Sequence, residues 1–369
     1  MDGSQIPLSY SSMASEALTQ VLQRLDGRPH DEAITEFENK LTELTSSPFA
    51  VALSSCTAAI HLALKALSVS VGDTIPVSTF TYIGSVNPIF YVGAQPVFVD
   101  SEELTWNMDP IRLEKCLSDL SSKGQLPKAI VVVHAYGMPA KMSELKSIST
   151  SYNVPVIEDA AEALGSTYRD KPVGNLGDIG VLSFNNNKSI TTFGGGALLT
   201  RSKAIYDKVK YWATQAREQL PYYEHREIGY NYRMSPLNAA YGIAQLEKVT
   251  ATIEQRRSVF KRYKNLLESE GVKFLHEPDG FYSSRWLSTV AFKRGIDPLK
   301  IQSKLMEEGM ESRPLWKPMH LQPIFNQLPC YGGEVSEQLF STGLCLPSGT
   351  TLTEADINRV AEIVVKCLN

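Results

Sequence analysis

Between Phe49 and Thr200 short apolar runs alternate with longer segments of helical spacing, and that alternation leaves few folds open. Phe49–Leu53, Pro76–Thr79, the PVFVD within Val92–Asp100, Ala129–Val133, Val154–Ile157, Ile179–Phe184 and Ala197–Leu199 read as strands. Ala129–Val133 is apolar throughout, as expected of a parallel strand covered on both faces. After Phe49–Leu53 comes SSCTAAIHLALKAL, whose Ile60, Leu62, Leu64 and Leu67 supply an apolar helix face, and Asp109–Leu120 reads as another helix. Strands alternating with crossover helices predict an α/β fold built on a mostly parallel sheet.

The flanks read differently. Ala14–Leu25 predicts a helix, Asp26–Pro29 a turn, and Glu32–Thr45 a second helix with Ile34, Phe37 and Leu41 at helical spacing. After Thr200 come helical patterns at Lys203–Gln215 and Met234–Leu246, then a long connecting helix over Glu247–Glu270. From Lys273 to Asn369 short strands (Lys273–Leu275, Trp286–Phe292) alternate with helices (Leu299–Glu308, Glu354–Leu368), as in a small α+β domain. With 369 residues, 43% of them hydrophobic, there is core material for a large domain and a smaller one. The expected division is an N-terminal segment, 1–40, packing with the small domain; a large domain, 41–250; and a small domain, 251–369.

Composition narrows the function. A net charge of −4, with charges interspersed, gives no reason to expect nucleic-acid binding. No apolar run of about 18 residues predicts a membrane span, and the first residues lack a basic region followed by an apolar one. The five cysteines (Cys56, Cys116, Cys330, Cys345, Cys367) are scattered and odd in number, which fits a reducing cytoplasm. No CxxC or HExxH spacing exists, so no metal is expected.

Chemistry concentrates in Val154–Thr200. One strand ends on Glu158 and Asp159; another is followed by three asparagines, Lys188 and then Gly194–Gly196. In open α/β sheets ligands sit outside the carboxyl ends of the strands, so an acid and a lysine at two such ends face one crevice. Pyridoxal phosphate needs that pair: a lysine amine for the Schiff base and an acid to keep the ring nitrogen protonated. Each residue also has a plain reading, Lys188 as a solvated cation and Asp159 as the N-cap of a helix over Ala160–Leu164. Their conjunction favours the cofactor. Ser54, Ser55 and Thr57 open a helix directly after a strand, which makes an anion site of free N–H groups, or simply an N-cap. Tyr82 reads as core or surface packing, although an aromatic at the mouth of this crevice could also stack on a flat ring, and Glu162 shares a helical face with Asp159. His134 and Glu158 read as structural.

The segments EDAAEALGS, LSFNNNKSITTFGGGA, TQARE and GYNYRMS resemble the DegT/DnrJ/StrS family of sugar-nucleotide aminotransferases, in order and over nearly the whole chain. The resemblance implies the aspartate-aminotransferase-like fold (fold type I), pyridoxal phosphate as cofactor, and Lys188 as the catalytic lysine. It implies cofactor contacts from Cys56, Thr57, Tyr82, Asp159, Glu162 and Ser183, with Ser183 on the phosphate and Glu162 near the ring hydroxyl. An ionised Glu only accepts hydrogen bonds, so the Glu162 contact requires a proton. The family's phosphate cradle is usually written GTAA; Cys56 stands at its glycine, so this turn must use a negative φ or carry strain. Asn231, in the GYN segment, is implied to reach the partner's cofactor phosphate across a homodimer. Arg313, Trp316 and His320 resemble the segment near the sugar nucleotide, and Asp26–His30 the loop bordering its pocket.

The same segments look most like the branch that aminates C4 of UDP-2-acetamido-2,6-dideoxy-4-keto sugars for glycan or lipopolysaccharide synthesis, with glutamate as donor. The perosamine-type branch, acting on a GDP-4-keto-6-deoxy sugar, and C3 amination stay open. Related sugar 3-dehydratases carry histidine in place of the lysine, so Lys188 argues against that chemistry. No GxGxxG follows the first strand, which argues against a nicotinamide dehydrogenase.

Overall fold

The computed structural model describes residues 5–9, 21, 25–26 and 30–368. The helix expected over Ala14–Leu25 and the loop Asp26–His30 lie mostly outside these residues. Seven strands from the first part of the chain form one sheet: β1 (Phe49–Leu53), β2 (Thr74–Ser78), β3 (Gln95–Val99), β4 (Ile130–Val133), β5 (Val156–Asp159), β6 (Ile179–Ser183) and β7 (Gly196–Thr200). An eighth, β8 (Cys330–Tyr331), comes from far along the chain, and the order is β1-β7-β6-β5-β4-β2-β3-β8. Pairing is parallel from β6 through β5, β4, β2 and β3 to β8. Only β7 runs against its neighbours.

Alternation along each strand explains why the sheet is buried on both faces. Ala50, Ala52, Ile130, Val132, Val156 and Leu182 join one core; Val51, Leu53, Val131, Ile157, Ile179 and Val181 join the other. Helix α1 (His30–Thr45) and helix α3 (Pro236–Leu246) cover the first face through Phe37, Leu41 and Ala240. Helix α2 (Cys56–Ala66) covers the second through Ile60, Leu62 and Leu64.

A third core belongs to the C-terminal part. There α4 (Val249–Leu267) and α5 (Glu354–Leu368) pack on an antiparallel sheet that includes Ser288–Ala291 and Gly343–Leu346. Ile6 joins this core and bridges Met310. A boundary at residue 40, however, cuts α1, whose Ile34, Phe37 and Leu41 are buried with the large sheet. β8 likewise sits in sequence beyond residue 251 but completes the edge of the large sheet beside β3.

One helix expected from the sequence is absent. Residues 160–165 form turns: Asp159 accepts from Ala161 N at 3.1 Å, and Gly165 at φ 79° redirects the chain into the strand Thr167–Tyr168. Too few residues separate the two strands for a helix to form its first hydrogen bonds and still exit.

Candidate active site

Because β1, β2, β4, β5 and β6 point the same way, their carboxyl ends meet along one edge of the sheet, joined there by the amino end of β7. A cavity of about 640 Å³ opens at that edge. Each strand end delivers part of the lining: Ser54–Thr57 after β1, Thr81–Ser85 after β2, Tyr136 after β4, Asp159 and Glu162 after β5, Ser183 and Lys188 after β6. The opposite wall comes from Leu8, Ser9, Trp286, Glu311, Arg313 and Trp316.

Asp159 is buried and held from three sides. Its Oδ2 accepts from Ser85 Oγ at 2.6 Å, itself 2.7 Å from Thr81 Oγ1; Oδ1 accepts from Ala161 N and lies 3.8 Å from the Cys56 thiol. Such a carboxylate is fixed in orientation and can hold a protonated ring nitrogen. Lys188 Nζ donates to Glu162 Oε1 at 3.0 Å and lies 4.1 Å from the centre of the Trp286 ring. Glu162 accepts on its other oxygen from Tyr136 N at 2.9 Å. Burial pushes the Glu162 carboxyl up to about 7, against the pull of Lys188 and of its hydrogen bonds. A carboxyl raised this far can hold the proton that a contact with a ring hydroxyl would require.

The start of α2 offers its free N–H groups to an anion. Ser55 is the N-cap, accepting from Ala58 N at 3.0 Å, which leaves the N–H groups of the first turn toward the cavity. Cys56 is the first helical residue and is absent from the positive-φ positions, so the glycine it replaces is not needed for the turn. Burial and the neighbouring Asp159 push its thiol well up, keeping it neutral. The freedom lies instead at Gly196: a Cβ there would collide with the Cys56 backbone nitrogen, so only glycine lets β7 pass beneath the helix start.

Of the residues singled out in the sequence, Cys56, Thr57, Tyr82, Asp159, Glu162, Ser183, Lys188, Arg313 and Trp316 line this one cavity. Asn231 does not; it is exposed and accepts from Gln215 Nε2 at 3.0 Å. His320 also stands off the cavity, with Nδ1 at 2.7 Å from Thr79 Oγ1 and Nε2 at 3.0 Å from Glu337. Ser85, Tyr136 and Trp286 were not singled out as site residues. Ser85 had a signal, a hydroxyl in the polar segment that follows a strand end; Tyr136, left-handed at φ 54°, and Trp286 had none that spacing could show.

The residues present fit pyridoxal phosphate: a buried, oriented carboxylate, a lysine amine and a helix start converge on one cavity. Fold and site therefore define a pyridoxal phosphate-dependent transferase of fold type I. The family is equally definite. The profile of the DegT/DnrJ/EryC1/StrS aminotransferase family matches residues 11–365, and the chain belongs to that family. It is 46% identical to EpsN of Bacillus subtilis, provisionally described as a pyridoxal phosphate-dependent aminotransferase, over 91% of this chain and 88% of that protein. It is 36% identical to the GDP-perosamine synthase of Escherichia coli O157:H7, over 97% of each. A solved family aminotransferase from Brucella abortus superposes with a TM-score of 0.87 at 27% identity, covering 95% of this chain and 93% of that one. The chain is a pyridoxal phosphate-dependent sugar aminotransferase. Among the described residues no helix is long and apolar enough to cross a membrane.

Proposed function

We propose that the chain transfers the amino group of L-glutamate to the 4-keto group of a nucleotide-linked 6-deoxy sugar, with UDP-2-acetamido-2,6-dideoxy-4-ketohexose as acceptor, for glycan or lipopolysaccharide synthesis. One observation carries the reading: Lys188 and Asp159, from different strand ends, open into a cavity whose far wall carries Trp316 and Arg313, the latter ion-paired to Glu311. That volume is within the range of sites that enclose a cofactor with a small substrate.

When bound, the cofactor supplies an aldehyde to take up the amino group and a ring to accept the electron pair left as the donor's C–H bond breaks. The protein's own residues do the rest. Lys188 Nζ carries the proton between the substrate carbon and the cofactor carbon, in one direction with glutamate and in the reverse with the keto sugar. Asp159 holds the ring nitrogen's proton, with Ser85 and Ala161 N keeping its oxygens in place. Glu162 keeps a proton for the ring hydroxyl. The α2 N-terminus, with Thr57 and Ser183, takes the phosphate, and Tyr82 covers a ring face. Arg313 and Trp316 face the nucleotide sugar. Asn231, exposed and outside its own cavity, serves the partner's site in a homodimer.

A second reading has its own support: GDP-perosamine synthases of Escherichia coli, Caulobacter vibrioides and Vibrio cholerae are 31–36% identical to this chain, which favours a GDP-4-keto-6-deoxy sugar. Purified enzyme with glutamate and a panel of UDP- and GDP-linked 4-keto and 3-keto sugars, read by product mass and NMR, decides between them. Conversion of the UDP-linked 4-keto sugar is the expected result. Conversion of the GDP sugar alone would establish the second reading, and conversion of no 4-keto sugar would refute both.

A further inference from the structure

Trp286 is a buried aromatic of the small-domain side that touches the reacting end of the site. Its ring centre lies 4.1 Å from Lys188 Nζ. Its indole Nε1 donates to the carbonyl of Asn187, the residue before the lysine, at 2.7 Å. The same carbonyl accepts from Ser9 Oγ at 3.0 Å. Both donors are gripped from behind by one guanidinium: Arg256 donates to Trp286 O at 2.5 Å and to Ser9 Oγ at 3.1 Å. Arg256 is wholly buried on α4, has no carboxylate partner among the described residues, and is drawn down to about 10 by burial. A buried cation of this kind is costly unless its hydrogen bonds fix something. Here they fix a bracket running from α4 through Trp286 and Ser9 to the backbone that carries Lys188.

We propose that Trp286 is the seat of the Lys188 ammonium in the states where that lysine is not bonded to cofactor, and that Arg256 and Ser9 hold the seat in position. A π-face within about 6 Å of an ammonium attracts it, more strongly where water is excluded. The Lys188 side chain is 13% exposed, and the Glu162 carboxyl that accepts from it is 5% exposed. To bond the cofactor aldehyde the ammonium must shed its proton; the amine then forms the C=N bond and one water leaves. The ammonium over the ring is replaced by an imine in that step. The seat thus favours the pyridoxamine phosphate form, in which Lys188 keeps its own ammonium, over the pyridoxal phosphate form. It biases the balance between the two halves of the reaction without touching the substrate. The inference rests on the assignment of Lys188 made above.

The test is the ratio of dissociation constants of the full chain for pyridoxal phosphate and pyridoxamine phosphate, measured by titrating cofactor-stripped protein. Position 286 carries tryptophan, its mono-, di- and trifluorinated analogues, or Trp286→Leu. Fluorination drains the π-face with little change of shape, so folding is not at issue. The expected result is that pyridoxal phosphate tightens stepwise relative to pyridoxamine phosphate, reaching about 3- to 10-fold in Trp286→Leu. In a Lys188→Ala background the ratio should ignore fluorination. A ratio unmoved by fluorination in the lysine-containing protein, or moved equally without the lysine, would overturn the seat. A purely structural Trp286 would weaken both cofactors together and leave the ratio flat. Failure of the Lys188 assignment shows separately, as unaltered covalent capture of pyridoxal phosphate in Lys188→Ala.

Discussion

Replacing Glu162 by glutamine should change how stability responds to pH, and the sign follows from the site. The carboxyl rises from 4.5 to about 7 because it is buried, so the folded protein prefers it protonated. Below the unfolded value both states are protonated and the shift has no effect; as pH rises toward about 7 the unfolded chain releases its proton first and folding loses ground. With about 1.4 kcal/mol per unit, the wild type loses about 1 kcal/mol by about pH 5 and about 3 kcal/mol by about pH 8. Glutamine keeps the shape and stays neutral throughout, so Glu162→Gln has no such slope. The assay is urea unfolding of the cofactor-free proteins at about pH 5 and about pH 8. The two stabilities should diverge by roughly 2 kcal/mol in favour of the variant at the higher pH. Parallel behaviour would refute the raised carboxyl, and a variant losing ground with pH would show that the Lys188 ion pair outweighs burial.

Two further substitutions probe the cofactor end. Asp159→Asn removes the charge while its one oxygen still accepts from Ala161 N and its NH2 donates to Ser85 Oγ, whose hydroxyl turns to Thr81; cofactor affinity should fall about 10- to 100-fold, as for one charge-assisted hydrogen bond, while the melting temperature of the cofactor-free protein barely moves. Gly196→Ala sets a methyl against the Cys56 nitrogen and should cost roughly 1–3 kcal/mol in denaturant unfolding, with the cradle displaced and cofactor binding weakened.

Much of the site was legible in the chain because its residues sit at fixed offsets from strand ends. Asp159 ends β5 and Lys188 follows β6, and the two strands are neighbours, so sequence pattern and sheet order place both on one crevice. The helix start at Ser54–Thr57 was legible for the same reason, a strand running straight into a helix. What stayed hidden depends on tertiary neighbours. His320 looks like a pocket residue, yet its nitrogens are occupied by Thr79 and Glu337, contacts that spacing cannot show. Trp286 reaches Lys188 only because the small domain folds back across the sheet edge. β8 is two residues long and reads as loop until β3 offers it an edge. Residues 160–164 carry a helical pattern that the short path to the next strand overrides.

The central claim is that Lys188 takes up pyridoxal phosphate and that glutamate discharges it. A visible spectrum of the purified enzyme, with and without glutamate, alongside Lys188→Ala, tests it most directly. The wild type should show the visible band of lysine-bonded cofactor, lost on adding glutamate and restored by 2-oxoglutarate, and the variant should lack that band before any donor is added. A wild type that stays colourless after added cofactor, or a variant with an identical lysine-type band, would contradict it.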